Sequence, residues 1–119
     1  MSPRFLNAWG TWQQTRNSLV LSLSLNIEER NRSTPGSTQE KKLNRNIDAT
    51  LKDMQEHSIS GLRMVDLAIA DSSLIQKIKS ESKAAKKEAD RIKNATRTVA
   101  ELTALTQKLT RLVKLFSLL

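Results

Sequence analysis

The chain has 119 residues, of which 38% are hydrophobic and 27% are charged, and its formal net charge is +8. This length suits one domain with one modest core. The absence of cysteine excludes disulfides, thiolate chemistry and zinc sites built on sulfur. No stretch approaches the roughly 18–20 apolar residues of a membrane-spanning helix, and no cleavable signal peptide is visible. We therefore expect an intracellular, cytoplasmic protein by default.

The positive charge is concentrated at the C-terminal end. Residues 77–119 hold eleven basic and four acidic residues, which accounts for +7 of the net +8. Glycine and proline are scarce, at 3 and 2 residues, and strand-forming aromatic residues are few. Such a composition predicts long helices rather than sheets. We expect a single all-α domain over residues 1–119, a bundle of about three helices that ends in a long, coiled-coil-like helix.

The first predicted helix spans residues 3–30. Apolar residues recur there at three- and four-residue steps, as on one helix face, with Arg16 as the one polar break: Phe5, Trp9, Trp12, Leu19, Leu23 and Ile27. Residues 19–27 also alternate as a strand would, but a lone strand would have no partner in this chain, so a helix is favoured. Trp9 and Trp12 share a face of this helix and are predicted to be interface anchors.

A turn at 31–36 precedes a second predicted helix at 37–70. Pro35-Gly36 is a turn dipeptide. Ser37 followed three residues later by Glu40 is a capping box, which marks a helix start. Leu43, Ile47, Leu51 and Met54 then mark one face, continued by Leu62, Val65 and Ile69. Gly61 predicts a kink or break, and His57 is expected on the surface or at an interface.

The third predicted helix spans residues 73–118, with Ser73 and Gln76 as a second capping box. If Ser73 is not a cap, the second and third helices merge. Heptad positions counted from Ile78 give a weak seam over 77–97, with Glu81 and Glu88 at d positions. From residue 99 onward the seam is apolar, and it is the predicted oligomer or partner seam: Val99, Leu102, Leu105, Leu109, Leu112, Val113 and Phe116.

Length supports an external partner for this third helix. At about 1.5 Å per residue it would extend about 70 Å, against about 50 and 40 Å for the other two. One compact chain could not cover it. The leading hypothesis is therefore a non-enzymatic helical scaffold or adaptor that self-associates, or docks a larger protein, through its C-terminal amphipathic helix.

Two alternatives rest on the same helix. The first is a nucleic-acid-binding accessory protein that uses a basic stripe within 77–97 to contact phosphates. Its candidate anion-binding residues are Lys79, Lys83, Lys86, Lys87, Lys93 and Arg97. The second is a membrane-peripheral or membrane-active protein, in which the apolar and cationic segment 109–119 lies in a lipid interface.

Catalytic constellations are absent from the sequence. The single histidine has no cysteine to pair with, and nothing marks a serine as an activated nucleophile. The three glycines are isolated, so no phosphate-binding glycine loop is present. No cluster of histidine or carboxylate has metal-ligand spacing. We expect no catalytic, cofactor-binding or metal-binding residues, and no enzymatic activity.

Overall fold

A computed structural model of the chain describes residues 3–62, 72–95 and 97–118, and it describes side chains over 8–61, 73–95 and 97–118. These residues form four helices: α1 (Pro3–Arg32), α2 (Thr38–Leu62), α3 (Ser72–Lys93) and α4 (Val99–Ser117). The all-α class and the helical bundle are confirmed. The prediction of one continuous helix over 73–118 is wrong, because that segment forms two helices.

The four helices pack in the cyclic order α1, α2, α4, α3, with α1 and α4 also in contact across the bundle. The described parts of α2 and α3 do not contact each other, so these two helices lie on a diagonal. Hydrogen bonds from Trp12 to His57 and from Arg30 to Asn44 show that α1 and α2 are antiparallel. The α2 and α4 helices run parallel, since Asn46 bonds to Thr103 and, one heptad later, Asp53 bonds to Thr110. The molecule measures 50 × 24 × 19 Å.

Helix α1 includes residues 19–27, so the helical interpretation of that alternating segment is confirmed. Its buried face is more polar than the apolar periodicity predicts, with Thr15, Ser18, Ser22 and Asn26 all turned inward. Some of these groups bond within their own helix, as when Thr15 Oγ1 donates to Thr11 O at 2.9 Å. Others bond to a neighbour, and the hydroxyls of Thr15 and Ser82 lie 2.9 Å apart. Polar contacts of this kind fix the alignment of α1 along α3.

The predicted turn and the first capping box are confirmed. Ser37 N donates to Thr34 O at 3.1 Å, and Gly36 has a φ of +78°, in the left-handed region that favours glycine. Ser37 Oγ accepts from Glu40 N at 3.1 Å, and the Glu40 carboxylate returns to accept from Gly36 N at 3.2 Å. These bonds satisfy backbone donors that a helix start would otherwise leave open.

Gly61 is the next-to-last described residue of α2, which ends at Leu62, so the predicted kink or break at this position lies at the edge of the described residues. Its role is to leave space: a Cβ at this position would lie 2.7 Å from Cζ2 of Trp12, closer than real Cβ atoms approach other heavy atoms. Glycine at 61 therefore allows the indole to lie against the α2 backbone. The predicted continuation of this helix to residue 70, with Val65 and Ile69, lies outside the described residues. So does the question of whether the second and third predicted helices merge.

The break between α3 and α4 falls at residues 94–98. Asn94 closes α3, with its side-chain nitrogen donating to Asp90 O at 3.0 Å. Thr98 then caps α4, and its Oγ1 accepts from Glu101 N at 3.1 Å. This is the same capping-box spacing that marks the start of α2. Ser73, predicted as a cap, instead lies inside α3, which begins at Ser72.

The buried face of α3 differs from the predicted heptad seam. Steps of four and three residues bury Ile78, Ser82, Ala85, Ala89 and Ile92. Glu81, predicted at a seam position, is exposed, and Glu88 is half-buried and paired with Arg91. A helix with 3.6 residues per turn permits this arrangement, which keeps both carboxylates out of the core.

None of the described helices combines the length and the apolarity needed to cross a bilayer.

Candidate functional site

Helix α4 has two faces, and its apolar face is used within the chain. The predicted seam residues do share that face, but they lie in the core of this same chain: Leu102, Leu105, Leu109, Leu112, Val113 and Phe116 are each at most 3% exposed, and Val99 is half-buried. The break at 94–98 removes the length mismatch that called for a second chain. It lets α4 fold back beside α3. The reason for assigning these residues to a seam between chains is therefore removed.

The same burial affects the membrane alternative for residues 109–119. Leu109, Leu112, Val113 and Phe116 are the apolar side chains that lipid contact would need, and all four are buried in the bundle. Among the described residues of this segment, Leu115 is half-buried and Leu118 is exposed, with 70% of its surface accessible. These two described leucines do not make a broad apolar membrane-binding face.

The outer face of α4 borders an open groove along α2. This groove has a volume of about 820 Å³ and is lined by residues 42–49 of α2 and residues 99–111 of α4. Three of the lining residues have small side chains: Ala49, Ala100 and Ala104. Both Ala100 and Ala104 are exposed to solvent in the folded chain. The groove is therefore a preformed feature of the surface.

Side-chain hydrogen bonds at two places join the α2 and α4 walls of the groove. Asn46 Nδ2 donates to Thr103 Oγ1 at 3.0 Å and also to Asn26 Oδ1 at 3.0 Å, which ties α2 to both α4 and α1. Thr110 donates its hydroxyl to the carboxylate of Asp53. Because buried polar groups tolerate few alternative partners, these bonds fix how α4 is placed along α2.

The groove carries positive charge that the chain does not neutralise. Lys42, Arg45 and Arg111 line it, and no aspartate or glutamate does. None of these three cations forms an ion pair with a described residue. Asp48, exposed on α2, is not among the lining residues. The groove is therefore a cationic surface without neutralising carboxylates, and its lining includes small residues.

Asp53 does not line the groove but accepts a hydrogen bond from Thr110, which lies at one end of it. Burial raises the pKa of this carboxyl, while the hydrogen bond from Thr110 and the charges of Lys114 and Lys52 lower it. Glu56 also acts on Asp53, so one acidic residue lies near this end. Lys52 and Lys114 are exposed and unpaired among the described residues, and they extend the positive surface beyond Arg111.

The predicted basic stripe of α3 is partly neutralised by the chain itself. Lys86 pairs with Asp90 at 2.9 Å, and Arg97 pairs with Glu28 of α1. Arg91 bridges Glu88 and Glu101, at 2.6 and 2.8 Å, and so links α3 to α4. Lys79 is half-buried, while Lys83, Lys87 and Lys93 remain exposed and without an ion pair to any described residue. The stripe is thus interrupted, unlike the lining of the groove.

The two tryptophans pack inside the chain. Trp9 and Trp12 stack with ring centroids 4.9 Å apart, and Trp12 stacks in turn on His57 at 4.4 Å. The edge of His57 meets Phe116 of α4 at 5.2 Å. Trp12 Nε1 donates to the backbone oxygen of His57 at 2.9 Å. Trp12 therefore anchors α1 to α2 within this bundle, and Trp9 stacks on it from the same helix.

The prediction that His57 lies on the surface or at an interface is wrong, because its side chain is fully buried. Neither ring nitrogen has a hydrogen-bond partner among the described residues. Burial, with a smaller contribution from the charge of Arg16, lowers the pKa of His57 to about 4. The imidazole is therefore neutral at physiological pH and packs as an aromatic ring. In the part of the chain with described side chains, no three potential ligands converge on a metal position.

Sequence patterns alone do not reveal the groove. Its walls come from two helices about sixty residues apart in the chain, and their pairing depends on tertiary packing. One signal was available: Ala100 and Ala104 are small residues four apart on the polar face of α4, where lysine or glutamate is usual. No protein family model, curated protein or solved structure matches the chain.

Proposed function

We propose that this chain is a non-enzymatic helical adaptor that docks a protein partner along the outer face of α4, in the groove that α4 forms with α2. One observation carries the proposal. An open groove of about 820 Å³ is lined by alanines and by three cations, Lys42, Arg45 and Arg111, that no described residue neutralises. Protein partners commonly dock a helix into a preformed groove of this kind.

A protein partner of different sequence fits this surface better than a second copy of the chain. In a two-fold symmetric dimer the same patch meets itself. Here that contact would bring Arg45 and Arg111 of each copy toward like charges, which costs free energy unless anions intervene. The apolar face of α4 is not available for such a dimer either, because it lies in the core.

Site-specific photocrosslinking in the cells that make the protein tests this function. A photoreactive phenylalanine replaces Ala104 in the groove or, as the control, Ala84 on the exposed face of α3. We expect a discrete protein adduct from position 104 and none of that mass from position 84. The adduct should be lost when Arg45→Glu and Arg111→Glu are added.

Mass spectrometry of the adduct identifies the partner. No adduct at position 104, or equal adducts at both positions, would contradict the proposal. A crosslink to a second copy of the chain would instead favour self-association at this face.

A second candidate function, nucleic-acid binding, is supported by the exposed lysines of α3. Lys83, Lys87 and Lys93 have no ion pair with a described residue. Against this, Lys86, Arg91 and Arg97 are already occupied by carboxylates. Phosphate contacts would have to compete with those pairs, so the groove remains the better candidate site.

A further inference from the structure

We infer that the groove between α2 and α4 accepts an acidic amphipathic helix of about three turns from a partner protein. This inference rests on the proposed adaptor function and names the chemistry of the partner. It follows from the length of the groove, from the small residues in its lining and from the sign of its charge.

The length of the groove and the small residues in its lining favour a helix as the bound element. The α4 wall from Ala100 to Arg111 is about 17 Å long at the rise of an α-helix, which matches about three turns of a docked helix. Ala49, Ala100 and Ala104 present small side chains, and small residues let two helices approach closely. The methyl groups of these alanines offer an apolar strip for the apolar residues of the incoming helix.

The positive charge of the groove favours acidic residues on both sides of the apolar strip of that helix. Lys42 and Arg45 lie on the α2 wall, and Arg111 lies on the α4 wall. An incoming helix with glutamate or aspartate on both sides of its apolar strip would meet cations on both walls. The basic groove would repel a helix with lysine at those positions. Arginine at two of the three positions also allows bidentate pairing with carboxylates.

A helix also fits this site better than a nucleic acid does. No tryptophan, tyrosine, phenylalanine or histidine lines the groove, so it has no platform on which bases could stack. Three alanines and three threonines are among its lining residues, and their side chains contribute little to binding a phosphate backbone. The combination of small side chains and cations in the lining is that of a helix-binding groove.

The test is a titration of the full chain into fluorescein-labelled synthetic helical peptides, followed by fluorescence anisotropy. The panel contains peptides of about 15 residues with an alanine and leucine strip flanked by glutamates, and matched peptides with lysine in place of glutamate. We expect the acidic peptides to bind and the lysine peptides not to bind. Added salt should weaken the binding, because the cations that line the groove are exposed.

Matched variants locate the site. Arg45→Glu combined with Arg111→Glu should weaken binding of the acidic peptide by about tenfold or more. The control, Lys83→Glu combined with Lys87→Glu on α3, changes the net charge equally and should leave affinity unchanged. Ala104→Trp fills the groove at an exposed position without changing charge, and it should also abolish binding. Far-UV circular dichroism verifies that each variant retains its helices.

Three results would overturn the inference. They are no binding by any acidic peptide, equal loss of binding in the groove and α3 variants, or tighter binding of a DNA duplex of about 20 base pairs that only the groove variant weakens. The last result would show that the cations of the groove bind nucleic acid and not an acidic helix. A groove crosslink at position 104 without peptide binding would leave the adaptor function standing and refute only the acidic helix.

Discussion

His57 shows how the environment of one side chain makes stability depend on pH. Its pKa in the folded chain is lowered to about 4, whereas an unfolded histidine titrates near 6.5. Between those values the unfolded state binds the extra proton, so stability falls as pH falls from about 6.5 toward 4 and is fully present above 6.5. The reason is that protonation would place a charge in a fully buried site beside Arg16.

We expect the free energy of unfolding to drop by about 2 kcal/mol between about pH 7 and pH 5 from this residue, measured by urea denaturation. His57→Phe keeps an aromatic ring for stacking and cannot be protonated, so it should remove that part of the pH dependence. Asp53, whose pKa is also raised, is present in both proteins, so its contribution to the pH dependence of stability cancels when the two are compared. An equal drop in the variant would show that His57 is not the titrating group.

The burial of His57 was accessible from the sequence, but only as a pattern. Position 57 continues the spacing of Leu43, Ile47, Thr50 and Met54, which share one face of α2. A polar residue on an apolar face is commonly assigned to the surface because burying it costs free energy. The stacking partners that compensate, Trp12 and Phe116, come from α1 and α4. No local pattern could name them.

At the scale of elements, the α3–α4 junction depends on Thr98. Its hydroxyl accepts from Glu101 N, and Glu101 in turn accepts from Arg91 of α3 at 2.8 Å. Thr98→Ala removes the cap and should lower the free energy of unfolding by about 1 kcal/mol. Thr98→Ser retains the oxygen and should stay close to the wild type. Urea denaturation of the two variants measures the difference, and equal losses would show that the cap is not the cause.

The elements also show where sequence reasoning succeeded and where it failed. The turn at Pro35-Gly36 and the start of α2 were predictable, because a capping box and a turn dipeptide are local signals. Thr98 and Glu101 carry the same local signal. A heptad pattern that runs weakly through 77–97 and strongly from residue 99, with no glycine or proline between, favoured one continuous helix instead. The pattern was right about which α4 residues share a face, but it contains no information about which chain that face contacts.

In the whole molecule, the two faces of α4 have different surroundings. The inner face completes the core, and the outer face with α2 forms a cationic groove that remains open. The sequence predicted that the C-terminal helix would need something to pack against, and the rest of the same chain supplies it. The groove could not be predicted, since it arises only when α2 and α4 align in parallel.

Leu109→Lys tests most directly whether the apolar face of α4 packs within one chain. Leu109 is 1% exposed in the core, so a lysine there places an unpaired charge among apolar side chains. The cost of several kcal/mol is comparable to the whole stability of a small domain, about 5–15 kcal/mol. Gln107→Lys, on the exposed face of the same helix, is the matched control and should leave the fold unchanged.

The measurement is sedimentation equilibrium combined with urea denaturation, on the wild type and both variants. We expect a wild-type monomer of 13.4 kDa, a folded Gln107→Lys monomer, and a Leu109→Lys chain that loses its cooperative unfolding transition. A wild-type oligomer that Leu109→Lys converts into a stably folded monomer would contradict this expectation. That result would place the apolar face of α4 between chains and not within one.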